Sequence, residues 1–253
     1  MDRFLFRRRF GVQGPVVLPV IHVVDAARTL ANVEVLTGEG AAGCFLINHD
    51  FGVPPFLDII REVRAAQPDL WMGVNFLAVT GRAAFPQLAR LQAEGYRIDA
   101  YWADDARIDE RVSDQVEAAQ IDAARVGWDG LYFGGTAFKK QRPVDPRDYG
   151  RSAEIAAGWM DVVTTSGLAT GVEVDDSKIA TFRTAVGSTA LALASGITPE
   201  NANRYAEVDC FMVATGINYD SNFYDIEPVR LRRLMRVAED LTNTMTTRTE
   251  GCA

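Results

Sequence analysis

Ionisable and carboxamide residues follow the first five apolar, β-branched segments of the chain, close to the point where each segment ends. Imidazole, carboxylate and amine groups are the usual general acids and bases of enzymes. Carboxamides can orient hydroxyl groups or an oxyanion. We therefore treat this set as the candidate catalytic residues. They are His22, Asn48, His49, Asp50, Asn75, Asp104 and Lys139.

These residues also have structural interpretations, which the sequence leaves open. His22 ends an apolar run, where a hydrogen-bonded structural histidine is as plausible as a site residue. Asn and Asp favour turns, so the stretch 48–50 could simply lead into the next helix. Asp104 could bind a divalent cation, orient sugar hydroxyls or lie in a solvated loop. Lys139 could pair with a substrate anion or contribute surface charge.

The last three apolar segments end instead in a hydroxyl residue followed by glycine. Glycine allows a close backbone approach, and free N–H groups at a helix start bind anions. Thr198 and Pro199 predict such a start, with the threonine as N-cap and the proline in the first turn. The alternative is that each glycine only relieves a tight turn. We expect a phosphate or other anion site formed by Ser166, Gly167, Ser195, Gly196, Thr215 and Gly216.

Eight apolar segments alternate with amphipathic, helix-like segments along the whole chain. Continuous apolar strands indicate a parallel sheet covered on both faces, and no long polar linker divides the 253 residues. This pattern predicts an α/β protein with one (β/α)8 barrel spanning 1–253, a mobile arm at 1–13 and a mobile tail at 242–253. In such a barrel the carboxyl ends of the strands carry the active site. The predicted strands are 16–24, 43–48, 71–77, 98–103, 130–134, 161–166, 189–194 and 210–215.

The amino-acid composition argues against several classes of binding partner. The formal net charge is -8, which argues against nucleic acid or an anionic membrane as a partner. Three cysteines without a CxxC pair indicate a reducing cytoplasm, and two histidines make a His-rich zinc site improbable. No stretch is apolar enough for a membrane helix. We expect a cytoplasmic protein, with no cofactor predicted and no direct support for a metal.

Several stretches together resemble the BtpA family of phosphate-binding-type barrels. They are FGVQGPVVLPVIHV, FGVPPF, MGVNFL, SDQ, GLATG, SGITPEN and VDCFMVATGIN followed by PVRLRRLM, and they cover about 10–241. The chain departs from the family pattern in two places. It reads NHDFGV where relatives carry an ENFGD-like acidic sequence, and GTAFKK where they carry DVHVKH, which keeps Lys139 but loses the Asp and the His.

Two function hypotheses follow. The first is an enzyme that acts on a small phosphorylated sugar or nucleotide-like metabolite by isomerase, lyase or glycosyl-transfer chemistry. The second, implied by a family member linked to photosystem I biogenesis, is a non-catalytic accessory or assembly factor. Fold alone cannot separate them, and a homo-oligomer is compatible with both.

Overall fold

The computed structural model describes the backbone of residues 1–250 and the side chains of residues 1–243. Eight parallel strands pair in sequence order and close into a barrel, because β8 also pairs with β1. The predicted (β/α)8 fold is confirmed. The strands are β1 (Val16–Val23), β2 (Gly43–Asn48), β3 (Trp71–Asn75), β4 (Ala100–Ala103), β5 (Leu131–Gly135), β6 (Val162–Thr165), β7 (Ala190–Leu193) and β8 (Cys210–Val213).

Helices follow seven of the eight strands, and one further helix, α1 (Arg3–Arg9), precedes the barrel. Among the described residues, no helix is both long enough and apolar enough to cross a membrane. The helices around the barrel are α2 (Ala26–Gly38), α3 (Val53–Ala66), α4 (Gly81–Ala93), α5 (Val116–Ala123), α6 (Tyr149–Ala157), α7 (Asp176–Ala185) and α8 (Pro228–Glu250).

Strand alternation divides the core in two. Side chains of alternate residues point to opposite faces of a strand. In β2, for example, Phe45 and Ile47 belong to the cluster inside the barrel, whereas Cys44 and Leu46 pack between the strands and the helices. The same alternation continues past the carboxyl ends of the strands, so it decides which polar residues reach the mouth of the barrel.

The segment 1–13, which the sequence predicts as an arm, contains helix α1 and packs against the barrel. Phe6 of α1 is fully buried inside the barrel, with its ring 5.9 Å from that of Phe133. Arg3, Arg7 and Arg183 all form ion pairs with the fully buried Asp209, at 3.0, 2.6 and 2.7 Å. Sequence reasoning missed this because an aromatic side chain in a short basic segment does not reveal its distant partners.

The last two units depart from the regular pattern. After β7 there is only a turn and a 3-10 helix (Ala202–Tyr205), so the α-helix predicted to start at Thr198 is absent. After β8 the chain forms an antiparallel hairpin, β9 (Asn218–Tyr219) and β10 (Asn222–Ile226), before α8 begins. The predicted mobile tail, 242–253, continues as α8 to Glu250, and 251–253 lie outside the described residues.

Candidate functional site

A pocket opens at the carboxyl ends of the strands, where the barrel fold places active sites. The empty space in the pocket is about 540 Å³, a volume that includes solvent at its open mouth. The first, second, fourth and fifth units contribute ionisable and aromatic groups, and the last three contribute mostly small and apolar residues. The polar and small residues of the lining include His22, His49, Trp102, Asp104, Lys139, Lys140, Gly171, Ser195, Gly196 and Thr215.

Two predicted catalytic residues of the second unit lie outside this pocket. The side chain of Asn48 points to the opposite face of the strand from those of its neighbours Ile47 and His49, which line the pocket. It is buried, and its amide donates to the Phe51 carbonyl at 2.6 Å. The Asn48 oxygen accepts from the backbone N–H of Leu77 at 3.1 Å. Asn48 therefore joins two loops, and it lies outside the pocket in which the sequence predicted it, because the register points it at the helix layer.

Asp50 is the second of these residues. Its carboxylate accepts a hydrogen bond from the hydroxyl of Tyr224 in β10, at 2.9 Å. That bond ties the exposed loop after β2 to the hairpin, and Asp50 does not line the pocket. Asp50 was predicted to be catalytic, but the structure places it in an exposed loop two residues beyond the end of β2, outside the pocket.

Asp104 is the buried acid of the pocket. One of its carboxylate oxygens accepts from the Asn75 amide at 3.1 Å, and the other lies 3.9 Å from the Lys140 ammonium without a hydrogen bond. Burial raises the pKa of Asp104, although Lys140 and Asn75 oppose that shift. Asn75 does not line the pocket, so it holds Asp104 and does not face a ligand.

The side-chain oxygen of Asn75 and the indole N–H of Trp102 are also buried without a hydrogen-bond partner. Trp102 and Asp104 line the pocket and Asn75 does not, so the indole N–H and Asp104 Oδ2 are two unsatisfied polar atoms of the lining. Such atoms are uncommon in folded proteins and call for a ligand or water. Sequence analysis missed Trp102, although it stands two positions before Asp104 on the same strand face.

Lys139 extends from the loop after β5 to the end of β7. Its ammonium donates to the backbone carbonyl of Ala194 at 3.0 Å, and its backbone N–H donates to Ser166 Oγ at 2.9 Å. Burial lowers the pKa of Lys139 to about 8; nearby Asp104 raises it and Lys140 lowers it further. An amine with this pKa is partly neutral near pH 7, which allows it to act as a base or a nucleophile.

The loop that carries Lys139 is held from outside the barrel by a second lysine, Lys178, which is buried. Lys178 donates to the carbonyls of Ala137 and Ser166, both at 2.7 Å. Ala137 adopts a φ of 45°, a left-handed conformation that costs a non-glycine residue about 1–2 kcal/mol. The two hydrogen bonds from Lys178 thus stabilise a strained turn that precedes Lys139 by two residues.

The two histidines meet edge to face, and His22 stacks on a ring of the hairpin. His22 lies 3.9 Å from the ring of Phe223 in β10, nearly parallel to it, and 4.8 Å from the ring of His49. Burial, followed by the proximity of His49, lowers the pKa of His22 to about 3, and burial also lowers the pKa of His49. Both rings are therefore neutral near pH 7. Buried Nδ1 of His22 has no hydrogen-bond partner.

The glycines at the ends of the last strands allow three loops to pack closely. Gly196 has a φ of 68°, and a Cβ there would overlap the carbonyl oxygen of Val172. A Cβ on Gly216 would likewise overlap the carbonyl oxygen of Ile197. Loop packing therefore explains why these positions are glycine, and any anion contact must come from N–H groups.

Ser166 and Gly167, predicted to bind phosphate, are occupied by contacts within the protein. The N–H of Gly167 donates to Ser195 Oγ at 2.7 Å, and Ser166 Oγ donates to the Gly167 carbonyl at 2.9 Å while accepting from Lys139. Neither residue lines the pocket. Both were predicted to bind an anion, but the structure places them outside the pocket, where their polar groups join the loops after β5, β6 and β7.

The backbone at the ends of β7 and β8 keeps free donors. Among the described residues, the N–H groups of Gly196, Ile197, Thr215 and Gly216 make no hydrogen bond within the protein. Gly196 and Ile197 are buried residues, and an unpaired backbone donor at a buried residue is rare. An adjoining depression is lined by Gly196, Thr215 and Gly216 and also by two arginines of α8, Arg230 and Arg233.

The described side chains form no cluster of three or more His, Cys, Asp or Glu residues suited to a metal ion. Asp104, which sequence analysis considered for a divalent cation, contacts Asn75 and Lys140 instead. An ammonium at this distance competes electrostatically with a cation.

Comparison with known proteins supports the fold. No family profile and no curated protein matches the sequence. A structure described as native KDPGal matches with a TM-score of 0.63 at 10% identity, covering 90% of this chain and 96% of that one. The tryptophan synthase α subunit of Legionella pneumophila str. Paris matches with a TM-score of 0.61 at 15% identity, covering 95% of this chain and 99% of that one. Phosphoribosyl anthranilate isomerase from Thermus thermophilus matches with a TM-score of 0.57 at 14% identity, covering 89% of this chain and 98% of that one. Identities this low establish the shared barrel fold alone.

Proposed function

We propose that the protein is an enzyme that acts on a small phosphorylated sugar or a related phosphorylated metabolite. The reaction is an isomerase or lyase reaction, in which protons move to and from a carbonyl compound. Membership of the BtpA family and a cytoplasmic location are parts of the same proposal.

One observation carries the proposal: free backbone donors and a buried amine–acid pair share a single pocket. The donors at Gly196 and Thr215 lie on its rim, and Lys139 and Asp104 lie in its lining. Backbone N–H groups bind phosphate oxygens without a counter-charge, and barrels often place this site after strands seven and eight. One barrel of similar fold is named for a phosphorylated substrate, phosphoribosyl anthranilate.

The pocket offers distinct chemical roles. Asp104, whose pKa burial raises, is the proton donor to a substrate oxygen. Lys139, whose pKa burial lowers to about 8, supplies the amine. Neutral His22 and His49 orient hydroxyls through their ring nitrogens, and Trp102 offers an indole N–H.

The exposed surface argues for the enzyme over the accessory factor. An assembly factor needs a contiguous apolar docking patch. The most exposed large apolar side chains are instead Leu168, Val126 and Phe4, which lie after β6, after α5 and in α1. The pocket lining, in contrast, holds three buried polar atoms without a hydrogen-bond partner, His22 Nδ1, Trp102 Nε1 and Asp104 Oδ2, which suits a small-molecule site.

A thermal-shift screen of phosphorylated sugars, each paired with its unphosphorylated parent, tests the proposal. A ligand at 100 times its dissociation constant adds about 2.7 kcal/mol of stability, an easily measured shift. We expect stabilisation only by phosphorylated compounds. Stabilisation by none of them, or equally by the parent sugars, would contradict the phosphate assignment.

Thr215→Asp is the matched variant. Thr215 is exposed on the pocket rim, so an aspartate there can fold while its charge repels phosphate. Thr181→Asp makes the same change on the exposed face of α7 and serves as control. The first variant should lose the phosphate-dependent shift and the second should keep it. If both variants keep it, the anion lies elsewhere.

A further inference from the structure

We infer that Lys139 is a covalent catalytic residue, whose ε-amine forms an imine with the carbonyl carbon of a small aldose or ketose phosphate. The inference rests on the proposed function and deepens it, because it selects carbonyl chemistry through an amine over simple proton transfer. Its support comes from the surroundings of Lys139, from its neighbours Lys140 and Asp104, and from the comparison with Lys178.

The chain has three lysines, at 139, 140 and 178, and the structure gives them different surroundings. Lys178 is locked by two carbonyl acceptors behind the barrel wall and by the rings of Tyr149 and Phe182. Lys140 is one-third exposed and lies 3.9 Å from the Asp104 carboxylate. Lys139 lines the pocket, is half-buried and hydrogen-bonds through its ammonium to a neutral carbonyl.

Lys139 has the setting of a nucleophilic amine. Its side chain makes one hydrogen bond, to the neutral carbonyl of Ala194. Among the described residues, no carboxylate oxygen lies within 4.0 Å of its nitrogen, and its neighbour Lys140 is a second cation. Desolvation and an adjacent cation are the two means by which proteins keep a lysine amine unprotonated for imine formation.

The ionisation state fits that role. With a pKa of about 8, roughly a tenth of Lys139 is neutral at pH 7, several hundred times the fraction of an ordinary lysine. The ammonium of Lys140 lies in the same pocket, burial raises the pKa of Asp104, and the nearby rings of His22 and His49 are neutral at this pH.

Imine formation balances with the groups present. The neutral amine attacks the carbonyl carbon, a C–N bond forms, and the carbonyl oxygen takes a proton from the Asp104 carboxylic acid. The nitrogen then passes a proton to the Asp104 carboxylate, which returns it to the new hydroxyl group. That group leaves as water as the C=N bond forms, so that amine, carbonyl and the one proton first held by Asp104 give an iminium ion and water. The iminium cation stands beside the Asp104 carboxylate, which stabilises its charge.

Hydride trapping tests this assignment directly. The protein is mixed with dihydroxyacetone phosphate or glyceraldehyde 3-phosphate and treated with sodium borohydride, which reduces an iminium to a stable secondary amine. We expect a mass increase equal to the probe less one oxygen atom. Peptide mapping should locate that increase on Lys139. Label on Lys140 or Lys178, or spread evenly over the three lysines, would overturn the inference.

A variant series separates this inference from the proposed function. Lys139→Arg should abolish trapping, because a guanidinium does not form the imine, while the thermal shift with phosphorylated sugars persists. Thr215→Asp should reduce trapping of phosphorylated probes by at least tenfold and leave trapping of unphosphorylated dihydroxyacetone unchanged. If sugar phosphates stabilise the wild-type protein but neither probe is trapped, the inference of an imine at Lys139 is wrong, while the proposed binding of a phosphorylated substrate is kept. If phosphorylated and unphosphorylated probes are trapped equally on Lys139, the imine stands and the phosphate site is wrong.

Discussion

Replacing Lys139 with methionine should stabilise the protein at neutral pH. Methionine has a similar length, carries no charge and tolerates the irregular lining of a pocket. Lys139, in contrast, must keep an ammonium ion in a largely desolvated place where its single acceptor is the carbonyl of Ala194. The substitution removes the amine and, with it, the free-energy cost of burying its charge.

The sign and the size of the expected stability change follow from the pKa shift of Lys139. Burial lowers the pKa of Lys139 from 10.5 to about 8, so between these values the unfolded chain binds more protons than the folded one. Wild-type stability therefore rises with pH through this window, and the cost is complete below about pH 8. A shift of this size corresponds to about 3 kcal/mol, of which about 2 kcal/mol is relieved between pH 7 and pH 9.5.

Chemical denaturation of both proteins at pH 7 and pH 9.5 measures the effect. The stability gain of Lys139→Met should be about 2 kcal/mol larger at pH 7 than at pH 9.5. Tyrosines and cysteines also titrate in this range, but they are present in both proteins and cancel. A difference below about 0.5 kcal/mol, the size of an ordinary surface substitution, would refute the reasoning.

Lys178→Met is the matched control. Burial lowers the pKa of Lys178 to about 8 as well, so the pH-dependent part should be similar. However, the carbonyls of Ala137 and Ser166 would lose their donor, at about 1–3 kcal/mol each. We expect Lys178→Met to destabilise the protein at both pH values, in contrast to Lys139→Met.

Three further predictions concern the framework. Phe6→Ala should lower the free energy of unfolding by about 3–5 kcal/mol in urea titrations, because a fully buried ring leaves a cavity in the barrel. Asp209→Asn should cost a similar 3–5 kcal/mol in the same assay, since three arginines lose their buried carboxylate. Gly196→Ala should lower the thermal midpoint, because its Cβ overlaps backbone at a left-handed φ. Gly38→Ala, in α2 with open space around its Cβ, should leave the midpoint equal or higher, and equal midpoints for the two glycine variants would contradict the packing argument.

The sequence determined the fold and its strands to within a few residues. The predicted strand 43–48 matches β2, and 210–215 overlaps β8 at Cys210–Val213. Apolar runs and helical spacing are local signals that a sequence shows directly. Eight alternating strand and helix signals in a chain of this length are compatible with few folds besides a (β/α)8 barrel. The sequence also indicated His22, Asp104 and Lys139 at the barrel mouth, because strand ends are visible as changes from apolar to polar residues.

The tertiary structure decided what those residues can do. The register turned Asn48 away from the pocket and His49 into it, a difference of a single position. The desolvation that lowers the pKa of Lys139 comes from loops far apart in the chain, including the carbonyl of Ala194. Phe223 reaches His22 only through a hairpin that the sequence did not reveal. Local patterns report where a strand ends, whereas burial, charge and free N–H groups depend on which loops meet there.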